Sequence, residues 1–189
     1  MATKPGERKT QILQTLASML EQPQGEKITT AALAAKVGVS EAALYRHFAS
    51  KAQMFEALIE FIEESVFSLV NQITQTERDG RAQVQQMVSM LLNFAEKNPG
   101  MVRVLIGDAL VHEDARLQTR INQLLDRIES SLKQALQLTA AAAPSSASPT
   151  AHANALCAFI IGRWELFAKS GFKRPPSEHW AEQMALFRL

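Results

Sequence analysis

Apolar residues recur every three or four positions along most of this 189-residue chain, which is the spacing of amphipathic helices. Between residues 51 and 75, for example, the apolar positions include Phe55, Leu58, Ile59, Ile62, Val66, Leu69 and Ile73. No stretch alternates apolar and polar residues for long enough to predict a half-buried strand. The pattern therefore predicts an all-α fold.

Capping residues and Gly or Pro breaks divide this pattern into nine helices. They are predicted at about residues 7–22, 30–37, 41–48, 51–75, 81–97, 99–110, 113–137, 152–172 and 176–187. The Ala-, Pro- and Ser-rich stretch 139–151 separates the seventh helix from the eighth and is predicted to be a mobile loop.

A tight turn joins the second and third predicted helices, in the sequence TAALAAKVGVSEAALYRHF. Ala34 is small where the two helices cross, and Gly38 supplies a turn in which a left-handed backbone costs little. Two helices joined in this way form a helix-turn-helix, whose second helix fits the major groove of B-DNA. The same shape also occurs as plain scaffold, but its outward residues are suited to DNA: Ser40, Glu41, Ala42, Ala43, Tyr45, Arg46 and His47. Lys51 then combines a cation with free amides at a helix start, which suits a phosphate.

Charge and composition agree with a DNA-binding N-terminal region. Residues 1–51 carry seven Lys or Arg and four Asp or Glu, a net charge of +3, against −2 for the remainder. A basic segment on a near-neutral body favours contact with a polyanion. No apolar run reaches the ~18 residues of a membrane span, and the N-terminus does not have the pattern of a signal peptide. With Cys157 as the one cysteine, no intramolecular disulfide is expected, which fits the cytosol; we expect Cys157 to be a small core residue.

Enzyme chemistry finds little support in the sequence. The four histidines are scattered along the chain, at positions 47, 112, 152 and 179. The run His112, Glu113, Asp114 is a poor metal-ligand set, because adjacent residues on a helix point to different faces. The chain carries no Gly-rich phosphate loop and no nucleophile motif. We therefore expect no catalytic activity, no metal and no cofactor.

The run ITTAALAAKVGVSEAALYRHFASKAQMFEAL resembles the N-terminal domain of TetR-type transcriptional regulators, over about residues 8–58. The resemblance implies a homodimeric nine-helix fold. Residues 1–49 would form a three-helix DNA-binding domain, and residues 50–189 a six-helix regulatory and dimerisation body. Its DNA-contacting positions carry over to Arg8, Lys9, Thr29, Thr30, Ser40, Glu41, Ala42, Ala43, Tyr45, Arg46, His47 and Lys51. Twofold symmetry implies that the double-stranded DNA site is a near-palindrome.

The body resembles one branch of that family, the nucleoid occlusion factors, in NPGMVRVLIGDAL and RLQTRINQLLDRIESSLKQ. This resemblance implies a cytoplasmic, nucleoid-associated protein that blocks septum formation by the division protein FtsZ over the chromosome. The FtsZ C-terminal tail would dock between the fourth and fifth helices, where Leu69 stands in place of the arginine usual in that branch. The implied docking residues are Phe61, Glu64, Ser65, Ser68, Met90, Asn93, Phe94, Lys97 and Asn98.

The alternative is a TetR-type repressor that a small ligand releases from DNA. Its body would enclose an apolar pocket. The residues considered for that pocket are Phe67, Met87, Met90, Met101, Phe159, Trp164 and Phe167. Plain core packing is favoured for each of them, because Met-rich helical faces mostly form core.

The last two predicted helices are apolar enough to suggest a dimer interface. The large residues assigned to that interface are Leu156, Phe159, Ile160, Arg163, Trp164, Phe167, Trp180, Met184 and Phe187. The small residues Ala155, Ala158 and Gly162 would let a partner helix approach closely. The competing interpretation is that the large residues fill the core of a single chain.

Overall fold

The computed structural model describes residues 5–22, 28–142 and 148–189, and within these ranges the chain is all-α, as predicted. The described ranges contain nine α-helices: α1 Pro5–Leu20, α2 Thr30–Val37, α3 Glu41–Tyr45, α4 Lys51–Thr76, α5 Gly80–Lys97, α6 Pro99–Leu105, α7 Ala115–Ala142, α8 Pro149–Lys169 and α9 Trp180–Gln183. Two 3-10 turns, Asp108–Leu110 and Met184–Phe187, complete the regular structure of these ranges.

Side-chain caps fix the starts of α2, α3 and α4. The hydroxyl groups of Thr29, Ser40 and Ser50 each accept a hydrogen bond, 3.1–3.2 Å long, from the amide three residues further along. Gly38 ends α2 with φ 79, in the left-handed region that glycine adopts without steric cost. The helix-turn-helix is therefore encoded locally, by residues next to one another in sequence.

One continuous core connects the helix-turn-helix end of the chain with the body. Helix α4 runs through both parts and buries Leu58, Ile59 and Ile62 completely. Helix α1 packs against α2, α4 and α6. At its crossing with α6, a Cβ added to Gly100 would lie 2.0 Å from the carbonyl oxygen of Ala17, so only glycine fits there. The first three helices are thus held at a fixed position relative to the body.

The outer faces of the long helices α4 and α7 are mostly polar, with Phe61, Leu69 and Leu138 as exposed apolar exceptions. Among the described residues, no helix is long and apolar enough to cross a membrane. The helices pack around the shared core, with α7 against α5 and α8.

The loop predicted at 139–151 is shorter than the sequence suggested. Helix α7 continues to Ala142 and α8 begins at Pro149, while residues 143–147 lie outside the described part. The alanine run extends α7 because alanine has the highest helix propensity. Ser148 caps α8 and proline is favoured at the first helical position, so α8 starts earlier than predicted.

Three other predicted helices are also shorter than expected. The sixth, predicted at 99–110, ends at Leu105 and is followed by the 3-10 turn Asp108–Leu110. Helix α3 ends at Tyr45, because the chain turns so that Phe48 enters the core and Ser50 caps α4. The last predicted helix, 176–187, is helical only over α9 and the 3-10 turn that follows. The segment before Trp180 forms irregular turns, and its carbonyl groups at Pro175, Pro176 and Glu178 accept hydrogen bonds from the buried Arg163 side chain.

Candidate nucleic-acid interface

The start of α2 and the whole of α3 share one solvent-facing side, which we call the reading surface. All its members, as predicted from the sequence, are exposed or half-buried: Thr29, Thr30, Ser40, Glu41, Ala42, Ala43, Tyr45, Arg46 and His47. Leu33, Val37 and Leu44 point the other way, into the core. The alternation that defines an amphipathic helix therefore presents hydroxyl, carboxylate, guanidinium and imidazole groups together.

Hydrogen bonds connect α2 with α3 across the reading surface. The Thr30 hydroxyl donates to a carboxylate oxygen of Glu41 over 2.7 Å. The Tyr45 hydroxyl, on a side chain 44% exposed, lies 3.4 Å from the Thr30 oxygen as a donor. These contacts orient Glu41 and Tyr45 before any ligand arrives. The sequence does not reveal them, because the partners are 11 and 15 residues apart.

The basic residues predicted to reach phosphates lie beside the reading surface and have intramolecular contacts. Arg8 donates to the side chain of Gln11 over 2.8 Å. The Lys9 ammonium lies 5.6 Å from the centre of the Phe48 ring. The Lys51 ammonium forms an ion pair with Glu113, a residue of the segment before α7. A phosphate reaching Lys51 therefore meets a cation that already has a partner.

Helices α4 and α5 form an antiparallel hairpin, and the residues predicted to receive a tail lie on its solvent side, which we call the hairpin surface. It comprises Phe61, Glu64, Ser65, Ser68, Met90, Asn93, Phe94, Lys97 and Asn98, each exposed or half-buried. Phe61 is 48% exposed, which is unusual for a phenylalanine in a helix. Leu69 continues the apolar strip along α4 and is 40% exposed. The hairpin surface thus offers exposed apolar groups beside a cation, Lys97.

The large residues assigned to a dimer interface need correction. Six of the nine are buried within the single chain: Leu156, Ile160, Arg163, Trp164, Phe167 and Trp180. Phe159, Met184 and Phe187 are half-buried and pack their rings and thioether against that core. These large apolar side chains are buried in the protomer because its core offers them more van der Waals contacts than an exposed face of α8 would.

Arg163 has a structural role that sequence reasoning missed. Its guanidinium donates to the carbonyl oxygens of Pro175, Pro176 and Glu178 at 2.8, 2.8 and 3.0 Å. The side chain is nearly buried, so these bonds replace water for both partners. Arg163 thereby ties the irregular segment before α9 to α8.

The outward side of α8 carries small residues instead, and we call it the outer stripe: Ala155, Ala158, Gly162 and Leu166. An added Cβ at Gly162 would meet nothing within 4 Å. Leu166 is 40% exposed, and Leu186, in the C-terminal 3-10 turn, is 80% exposed. The small members were noticed in the sequence. Leu166 was missed, although its position four residues after Gly162 places it on the same side.

The residues considered for a ligand pocket are core or border the core. Met87, Trp164 and Phe167 are buried, and the Trp164 ring nitrogen donates to the carbonyl oxygen of Leu91. Phe67 lies under the Arg127 guanidinium at 3.8 Å. An open cleft of about 530 Å³ does exist elsewhere, lined in part by Arg103, Gln118, Lys169 and Phe172, and none of the predicted pocket residues borders it.

Cys157 is a buried side chain of α8. Burial raises the pKa of its thiol to about 11, and the nearby carboxylates of Glu129 and Asp126 add to that rise. Since the thiolate is the reactive form, Cys157 is inert at neutral pH, in agreement with its predicted place in the core.

Comparison with known proteins identifies both parts of the chain. Residues 17–58 match the model of bacterial regulatory proteins of the tetR family, and residues 78–189 match the SlmA-like, tetracyclin repressor-like C-terminal domain. A protein of Marinomonas sp. named nucleoid occlusion factor SlmA is 52% identical over 187 residues, with 97% of this chain and 94% of the relative covered. A protein of the same name from Alteromonas mediterranea is 50% identical over 189 residues, with 99% and 97% covered.

Solved structures agree on the fold. The MbdR regulator from Azoarcus sp. superposes with a TM-score of 0.80 at 14% identity, covering 95% of this chain and 96% of that one. A TetR transcription regulator from Haloarcula marismortui gives 0.79 at 15% identity, with 96% of each chain covered. At such identities the likeness concerns the fold, which is the nine-helix TetR type predicted from the sequence. The chain therefore belongs to the TetR family of bacterial regulatory proteins and, within it, to the SlmA branch.

Proposed function

We propose that this protein is a nucleoid occlusion factor: a dimer that binds dispersed near-palindromic sites on the chromosome and there blocks FtsZ-dependent septum formation. The observation that carries the proposal is the joint occurrence of an exposed reading surface and about 50% identity, along nearly the whole chain, to relatives named for nucleoid occlusion. Such a protein works in the cytoplasm, on the nucleoid.

The chemistry of the reading surface supports DNA as the ligand. An α-helix fits the major groove, and hydroxyl, imidazole and guanidinium groups there contact phosphates and base edges. Thr29 is both a helix cap and a phosphate donor in this proposal, because its oxygen accepts from Ala32 while its hydroxyl hydrogen stays available. Arg8, Lys9 and Lys51 supply cations at the edge, so binding weakens steeply with salt.

Dimerisation through the outer stripe would place two reading surfaces on one duplex. Helices with small residues approach closely, and Leu166 and Leu186 add exposed apolar surface that a second copy would cover. Half-sites read by a twofold dimer lie about one DNA turn apart, ~34–36 Å.

The hairpin surface suits the tail of FtsZ as the occlusion target. An exposed aromatic side chain often anchors a bound peptide, and Phe61 is exposed rather than part of the buried core. Lys97 provides a cation for an acidic tail. The contact proposed here is more apolar than a site built on arginine, because Leu69 extends the apolar strip.

Replacing Phe61 with alanine is expected to weaken binding of a labelled FtsZ C-terminal tail peptide by about 30-fold, since an anchor side chain contributes ~2 kcal/mol or more. The measurement is fluorescence anisotropy with protein saturated by a duplex that the wild type selects from a randomised pool. Duplex affinity is expected to stay unchanged, because Phe61 lies outside the reading surface. Val111→Ala, which shortens another exposed apolar side chain away from the hairpin surface, is the control.

The outcomes separate the candidate functions. Unchanged tail binding by Phe61→Ala places the tail site elsewhere. A wild-type protein that selects DNA but binds no tail would be a repressor in the ordinary TetR manner, and the occlusion role would be rejected.

A further inference from the structure

We propose that Glu41 selects an exocyclic amino group in the major groove, that of cytosine, and that Thr30 is its positioning residue. The inference rests on the proposed DNA-binding function and adds to it the identity of one base contact. The observation behind it is the 2.7 Å hydrogen bond between the Thr30 hydroxyl and one carboxylate oxygen of Glu41.

Glu41 is exposed, and among the described residues its hydrogen bond from Thr30 engages one carboxylate oxygen, Oε2. Among the described residues, no Lys, Arg or His forms an ion pair with Glu41. An ionised carboxylate is an acceptor only, so it can pair with a donor but not with a phosphate. Thr30 fixes the side chain in one orientation through Oε2, and the other oxygen is the acceptor in the proposed contact.

The major groove offers few donors to such a group. Only the amino groups of cytosine and adenine donate there, whereas guanine and thymine present acceptors or a methyl group. A carboxylate is also repelled by phosphates, so its place on this surface is favourable only where a base amino group compensates. Adenine presents the N7 acceptor beside its amino group, which disfavours a carboxylate, whereas cytosine presents the N4 amino group. Glu41 therefore accepts from cytosine and disfavours a base that presents an acceptor at that position.

The test is selection of duplexes from a randomised pool, read out position by position. Wild type is expected to enrich cytosine at one symmetry-related pair of positions. Glu41→Ala is expected to lose that preference by about tenfold or more while keeping the others. Glu41→Gln is expected to move the preference toward adenine, because an amide pairs with both adenine N6 and N7. Thr30→Val is expected to reduce the cytosine preference, and Thr30→Ser to restore it.

Lys51→Ala is the control, since loss of a phosphate contact weakens all sequences alike. Identical base preferences in wild type and Glu41→Ala would overturn the inference. A Glu41→Ala affinity that changes equally for every duplex sequence would also overturn it. Glu41 would then act only as a charge, either stabilising the start of its helix or repelling phosphates. A wild-type protein that enriches no sequence would instead reject the proposed DNA-binding function itself.

A different contact carries a second inference: we infer that the ion pair with Glu113 restrains Lys51, so that the body of the protein influences the affinity for DNA phosphate. Their ion pair joins residues 62 positions apart, one at the start of α4 and one before α7, and both side chains are largely buried. Glu113 is itself held in a turn: its backbone N–H donates a hydrogen bond to the Leu110 carbonyl over 2.9 Å, and His112 before it has a left-handed backbone, φ 69.

The Glu113 carboxylate and a DNA phosphate compete for the Lys51 ammonium. While Lys51 is paired with Glu113, a phosphate interacts with it only weakly. A full contact with phosphate requires the Lys51 ammonium to leave Glu113. A shift of the segment before α7 would therefore change DNA affinity, and DNA would by reciprocity favour the shifted segment.

Glu113→Gln is expected to raise duplex affinity about three- to tenfold at every sequence. The slope of log affinity against log salt concentration is also expected to become steeper, by the amount that corresponds to about one more phosphate contact. Asp114→Asn removes a neighbouring carboxylate that pairs with Arg116 instead, and controls for net charge. In a Lys51→Ala background, Glu113→Gln is expected to change nothing. Equal gains from both carboxylate variants, or a gain that persists without Lys51, would overturn the restraint.

Discussion

Replacing Gly162 with glutamate is expected to leave the protomer folded, split the dimer, and weaken binding to a two-half-site duplex by about 100-fold or more. The protomer tolerates the change because an added Cβ there meets nothing within 4 Å, and glutamate has a higher helix propensity than glycine. In a dimer packed through the outer stripe, the same side chain would bury an unpaired charge at a close helix crossing.

The affinity loss follows from bivalency. Two reading surfaces joined in a dimer bind as one unit, and separated protomers lose an avidity of 10²–10⁴. Light scattering gives the mass, and anisotropy gives the affinity for duplexes with one or two half-sites. The one-half-site affinity is expected to stay the same.

Gln75→Glu is the matched control for Gly162→Glu. It adds the same charge at an exposed position near the far end of α4, away from the outer stripe. A Gly162→Glu protein that remains dimeric with unchanged affinity would place the interface on another face of the body.

Replacing Arg163 with methionine is expected to lower the free energy of unfolding by about 3–5 kcal/mol. The substitution keeps much of the side-chain volume but removes donors from the carbonyl groups of Pro175, Pro176 and Glu178. These bonds are nearly buried and charge-assisted, so water does not replace them at low cost. Urea denaturation at one fixed protein concentration measures the change, because a dimer's stability depends on concentration.

Arg174→Met makes the same substitution at an exposed arginine of the same segment. Its one described ion pair, to Glu178, is 3.9 Å long, so the expected change is within about 0.5 kcal/mol. A loss in Arg163→Met as small as that in Arg174→Met would show that the segment before α9 contributes little to folding and that Arg163 is not its anchor.

Helix α8 shows why its large residues were assigned to a dimer interface although most of them are buried in the protomer. Both sides of this helix are apolar, one with Leu156, Ile160 and Trp164 and the other with Ala155, Ala158 and Gly162. Periodicity locates apolar sides but cannot say which of them the same chain covers, because any apolar side is favourably removed from water whatever covers it. The size of the residues misled the prediction, since the larger ones fill the protomer's own core.

By contrast, the reading surface followed directly from sequence. Each helix cap is a hydroxyl that accepts a hydrogen bond from the amide three residues later, at Thr29, Ser40 and Ser50. Gly38 adopts the left-handed conformation of the turn. Residues close in sequence therefore determine this geometry. The run from Ile28 onward therefore predicted both the helix-turn-helix and its outward residues.

The sequence by itself determined the helical character of the described residues, the helix-turn-helix and the family, because these depend on local capping, on helical periodicity and on a matching run of letters. Only the tertiary structure decided which side of α8 is inside, what Arg163 holds, and that Glu113 pairs with Lys51 across 62 positions. The physical reason is that a contact between distant residues depends on how whole helices pack, and packing depends on all the side chains at once.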